Sequence, residues 1–84
     1  MLIEFYGLEC SHCKNIEPLV SKLESETGVH VEKLETWHNQ ENSQKQDEYD
    51  KGLCGGVPFF YNTETNKYLC GEVEYEELKK WAGK

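Results

Sequence analysis

Cys10 and Cys13 stand two residues apart in the stretch ECSHCK, with Ser11 and His12 between them. A cysteine pair at this spacing suits three chemistries: a permanent clasp, half of a tetrahedral metal site, or reversible thiol–disulfide exchange. Exchange requires a thiolate, so what surrounds the first sulfur decides among them. Two further cysteines, Cys54 and Cys70, lie far down the chain, and an acid, Glu4, interrupts the apolar run LIEFY just upstream of the pair.

The elements around the pair favour exchange. Residues 1–6 carry Ile3, Phe5 and Tyr6 in loose alternation, which suits a short buried strand, and Gly7 ends it. From Cys10 to Thr27 the apolar residues Ile16, Leu19, Val20 and Leu23 recur on one face of a helix, with Gly28 as a left-handed stop. Pro18 should bend this helix, because its ring removes a hydrogen bond to the preceding turn. Cys10 therefore falls at the helix start, where unpaired N–H groups and the positive end of the dipole stabilise a thiolate. Cys13 sits one turn deeper, within reach of a mixed disulfide formed on Cys10. His12 is placed to stabilise the Cys10 thiolate further by charge or hydrogen bond; its plainer reading is a solvated residue with no role. A zinc ribbon would complete four ligands with a second CxxC or a His pair, and the chain has neither.

The remaining elements follow from pattern. Val29 to Glu35 reads as a second strand whose polar far end suits a sheet edge. Residues 39–51, NQENSQKQDEYDK, have helix-forming composition with almost no apolar stripe, so a short solvated helix is expected, ended by Gly52. VPFFYN and KYLC, separated by TETN, form a hairpin. Val73 to Ala82 places Tyr75, Leu78 and Ala82 on one helical face with Trp81 beside them. The order is β-α-β-α-β-β-α, the first two strands parallel through a right-handed crossover and the last pair antiparallel. The expectation is one α/β domain over residues 1–84, a four-stranded mixed sheet flanked by three helices. Trp37, Trp81, Phe59, Phe60 and Tyr68 are expected in the core or a groove wall, and His30 and His38 as singletons without a partner at metal-ligand spacing.

Composition narrows the function classes. With 84 residues the chain makes a single modest core. Sixteen acids against nine basic residues, all lysine, leave a net charge of −7, which repels phosphate backbones and anionic membranes. Nucleic acid and lipid are thus excluded as partners. No apolar stretch is long enough to span a bilayer. MLIEFY lacks a basic leader region and runs straight into a strand, so a cytoplasmic location is expected. There thiols stay reduced, and a CxxC is catalytic or metal-binding rather than a clasp.

LIEFYGLECSHCKNIEPL resembles the active-site segment of the thioredoxin superfamily. It is nearest the catalytic domains of protein disulfide isomerases, whose pattern is hydrophobic-Glu-Phe-Tyr, three residues, then Cys-x-His-Cys-Lys. GVPFF resembles the superfamily's cis-proline segment, and length and element order resemble its compact, glutaredoxin-like version. The likeness spans nearly the whole chain, strongest at residues 3–20 and 55–60 and weak through 36–52. It implies a redox-active disulfide between Cys10 and Cys13, no cofactor, and a buried acid at Glu4 that exchanges a proton with Cys13. Burial raises a carboxyl's pKa, which suits that task. Against it, Ile3 and Phe5 point opposite to Glu4 by alternation, so its burial requires helices on both faces. The resemblance also implies a cis Pro58, with the Val57 backbone free to pair with an extended substrate; an ordinary trans proline is the reading without it. Gly55 and Gly56 would give that loop room.

The chain departs from the family in two places. Glu9 stands where tryptophan is usual, and its charge opposes a thiolate on Cys10. GEVEYEE stands where glutathione-using relatives carry a Gly-Gly turn, so protein or peptide disulfides are the expected substrates.

Cys54 and Cys70 admit three readings: free accessory thiols, an accessory disulfide, or two ligands that join Cys10 and Cys13 in a four-thiolate zinc or iron–sulfur site. Three functions accordingly compete. The first is a thiol–disulfide oxidoreductase recycled by a reductase or a low-molecular-weight thiol. The second is a metal-binding structural or regulatory module, and the third a catalytically silent adaptor, which has no need of a reactive pair.

Overall fold

A computed structural model describes residues 1–84. Seven elements follow the expected order: β1 (Leu2–Tyr6), α1 (Ser11–Thr27), β2 (Val31–Glu35), α2 (Gln40–Asp50), β3 (Phe59–Asn62), β4 (Tyr68–Cys70) and α3 (Tyr75–Trp81). The strands form one sheet in the order β2-β1-β3-β4. β1 runs parallel to β2 and antiparallel to β3, which pairs antiparallel with β4. This is the mixed sheet with three helices read from the sequence.

Alternation along the central strands divides the core. Leu2 and Phe60 face one side and pack with Ile16, Val20 and Leu23 of α1 and with Leu78 and Trp81 of α3. Ile3, Phe5 and Phe59 face the other side, where Tyr49 of α2 and Tyr61 cover them. Each fully buried Leu, Ile or Phe contributes about 1.5–3 kcal/mol, and this burial holds α1 against the sheet. α1 continues unbroken through Pro18, which lies on its exposed side.

β2 begins at Val31, two residues later than the apolar pattern suggests. Gly28 turns α1 off with φ 75°, and the Glu24 carboxylate accepts the Val31 N–H at 2.9 Å, so residues 28–30 are spent on the turn. α2 has no apolar stripe, as expected, yet it is anchored. Tyr49 packs tilted against Tyr61 with ring centroids 4.7 Å apart, and Gln46 and Asp50 are buried. Their polar atoms hold the loop that precedes β3.

Candidate active site

Cys10 is the N-cap of α1. Its Sγ accepts the Cys13 N–H at 3.2 Å, and its own N–H donates to the Gly7 carbonyl at 3.0 Å. Extended backbone at Cys10 (φ −75°, ψ 114°) turns the sulfur back over the free end of the helix. Cys13 lies one turn on, and the two Sγ atoms are 2.6 Å apart as free thiols. Both cysteines are buried. Burial, then the hydrogen bond to Cys10, pushes the Cys13 thiol up to about 12. Cys13 is thus a poor nucleophile until something takes its proton.

Glu4 lies on β1 between Ile3 and Phe5, and it points to the opposite face from both. In register with Phe60, it faces α1 and α3 and is only 1 % exposed. The apparent conflict with alternation is resolved because helices cover both faces of the sheet. One carboxyl oxygen, Oε1, has no hydrogen-bond partner. Burial pushes Glu4 up to about 7, against the pull of Lys33. A carboxylate at Glu4 also acts through space to hold the proton on Cys13.

His12 is exposed, and its Nδ1 meets Glu72 Oε1 at 2.5 Å, where Asn15 also donates at 3.2 Å. The His12 hydrogen bond, then that from Asn15, holds Glu72 below the usual carboxylate range. His12 is therefore engaged with the turn before α3, and no hydrogen bond joins it to Cys10. Glu9 has a partner as well: its carboxylate meets His38 Nε2 at 2.7 Å and 2.8 Å, which pushes His38 up. His38 thus pairs with a carboxylate, a partner the sequence reading did not supply. Its pairing spans 29 residues and has no local signal.

The loops flanking Cys10 are tied together by Glu35. Its carboxylate accepts the N–H groups of Leu8, Trp37 and His38 at 2.9, 3.1 and 2.8 Å. Trp37, expected in the core or a groove wall, is 54 % exposed and lies over Gly7, where any Cβ would collide with its ring.

Opposite Cys10, the Val57–Pro58 peptide bond is cis, and the Val57 carbonyl lies 3.8 Å from Cys10 Sγ. Pro58 is buried, and its carbonyl accepts the Gly71 N–H at 2.8 Å. The loop leading in is held by two residues the sequence reading missed. Asp50 accepts the N–H groups of Cys54 and Gly55 at 2.5 and 2.8 Å, and Gln46 donates to the Gly56 carbonyl at 2.8 Å. An acid placed just before a glycine-bearing turn was the available signal for Asp50.

Cys54 and Cys70 form a disulfide, with Cα atoms 5.5 Å apart. This corrects both the reading of Cys54 and Cys70 as free accessory thiols and the four-thiolate metal alternative. Strand register places Cys70 opposite Phe59, next to Pro58, and the turn at Gly55 (φ 73°) brings Cys54 to the same end. Sulfurs bonded to each other have no thiolate to offer a metal, which leaves Cys10 and Cys13 as the only free pair.

Compared with models of known families, the chain matches the Thioredoxin model over residues 1–84. No curated protein matches it. The match takes in every strand and helix, among them α1 with Cys10 and Cys13 at its start, and the chain belongs to the thioredoxin family.

Proposed function

We propose that the protein is a thiol–disulfide oxidoreductase that exchanges disulfides with protein or peptide substrates through Cys10 and Cys13. The observation that carries this reading is the arrangement of the two sulfurs, free, 2.6 Å apart, the first at the open end of a helix. The Cys10 thiolate attacks one sulfur of the substrate disulfide and forms a mixed disulfide, while the other substrate sulfur leaves and takes a proton. Cys13 then loses its proton, attacks Cys10 Sγ and releases the second substrate thiol, leaving Cys10 and Cys13 oxidised. With its thiol pushed up to about 12, Cys13 needs a base, and Glu4, pushed up to about 7, is the buried carboxyl facing the same helix. Substrate backbone pairs with Val57, whose carbonyl borders Cys10, beside the buried Pro58.

His12 acts in this reading as a positioning residue. Its bond to Glu72 fixes the first turn of α1 against the start of α3, and Nε2 remains free toward solvent. A reductase or low-molecular-weight thiol returns electrons to the pair, and in a cytoplasmic setting the net direction is reduction of substrate. No cofactor enters any step.

An insulin-type disulfide reduction assay tests the proposal. Wild type should turn over, Cys10→Ser should be inactive, and Cys13→Ser should accumulate a covalent adduct with substrate visible by mass. Equal rates for wild type and Cys10→Ser would end the reading.

A further inference from the structure

The Cys54–Cys70 bond lies outside the chemistry of Cys10 and Cys13, yet it is fastened to the same loop. Cys70 is exposed, while Cys54 is half-buried and packs against the Ile3, Phe5 and Phe59 cluster. An attacking thiolate therefore reaches the Cys70 sulfur, and Cys54 is the sulfur that leaves. Gly56 offers a carbonyl 3.6 Å from Cys54 Sγ, an acceptor for the thiol hydrogen that the Cys54 side chain gains on reduction.

What the bond holds is equally specific. From Pro58 onward the chain is secured without it, through the pairing of Phe59 with Cys70 and the Gly71 N–H on the Pro58 carbonyl. Residues 52–57 belong to no strand or helix, and Gly52 and Gly55 have φ 81° and 73°. Besides the disulfide, that segment has the side-chain bonds from Asp50 and Gln46 and one turn bond, Leu53 N–H to the Asp50 carbonyl. Its last residue is Val57, whose carbonyl borders Cys10.

We propose that Cys54–Cys70 is a second redox site, opened and closed by low-molecular-weight thiols in the folded protein, and that its state sets how firmly the Val57 loop is held against Cys10. A thiolate RS⁻ attacks Cys70 Sγ, the S–S bond breaks, and Cys54 leaves as a thiolate that takes a proton from water. A second RS⁻ attacks the outer sulfur of the mixed disulfide on Cys70, releasing the Cys70 thiolate and RS–SR. Two thiols are oxidised and the protein gains two electrons. The exchange does not use Cys10 or Cys13, so it stands or falls separately from the proposed activity.

The test is made on the Cys10→Ser, Cys13→Ser variant and on wild type, each equilibrated in graded reduced and oxidised glutathione, then in dithiothreitol, and acid-quenched. Alkylation and peptide mass give the oxidised fraction of the Cys54–Cys70 pair, and amide exchange is read on the same samples. The expected result is one reversible two-electron curve for this pair in both proteins. On reduction, amides of residues 52–57 should exchange about tenfold faster or more, while Val20 and Leu23 on α1 stay protected. Loss of protection throughout the molecule would make the bond a structural clasp and overturn the proposal. A pair that stays closed, opens only when Cys10 and Cys13 are present, or opens without faster exchange at 52–57 would overturn it equally.

Discussion

In the proposed exchange, Glu4 joins stability to catalysis through one proton. Burial moves its titration from 4.5 to about 7. Between these values the folded protein holds a proton that the unfolded chain has released, so stability is fully present below the lower value, falls as pH rises, and levels off above the higher. The fall amounts to about 3 kcal/mol, and a Glu4→Gln variant should lack it when urea unfolding is compared at pH 4 and pH 8. The chemistry runs the other way. In the proposed mechanism, release of the mixed disulfide needs Glu4 ionised, so its rate should climb through about pH 7. In Glu4→Gln that inflection should vanish and the step should slow on the order of 100-fold, measured by single-turnover quenching. An unchanged profile would remove Glu4 from the proton transfer. The likeness of the LIEFY run to the family's segment marked Glu4 as a candidate buried acid; that its burial is complete depended on α1 and α3 closing over it.

Among the elements, the loops around Cys10 depend on a contact between two of them. Gly7 follows β1, and the ring of Trp37, just after β2, occupies the space a side chain would need. Gly7→Ala should displace Trp37, cost about 1–3 kcal/mol in denaturant unfolding, and shift tryptophan emission to the red. An unshifted spectrum with full stability would show that the ring does not rest there. α2 is held at its start by a cap, Asn39, whose side chain accepts the Asn42 N–H at 3.1 Å. Asn39→Ala should cost about 1 kcal/mol, read in the same way. Helix α2 was legible as a helix because its composition favours one. Its use as the anchor of the Val57 loop was not, since Gln46 and Asp50 look like two more solvated polar residues until the loop folds over them.

For the molecule as a whole, charge is the dominant variable. The molecule carries a net charge of −7, and Glu9 and Glu72 stand near the pair, hydrogen-bonded to His38 and His12. Cationic disulfides should therefore react faster than anionic ones. Cystamine should exceed glutathione disulfide by about tenfold in stopped-flow rate at low ionic strength, and the ratio should shrink as salt is added. A ratio that ignores salt would show that contact, not the surrounding field, governs the choice.

Local order and the position of the CxxC pair at a helix start could be read along the chain, because both rest on interactions between near neighbours. Apolar residues at helical and strand spacing located the elements, and a CxxC between a strand and a helix put Cys10 at the helix tip. Pairings across long separations could not be read that way: Glu9 with His38, His12 with Glu72, Cys54 with Cys70. Each joins residues far apart in the chain, and only the strand order β2-β1-β3-β4, with its register, brings them to a common end of the sheet.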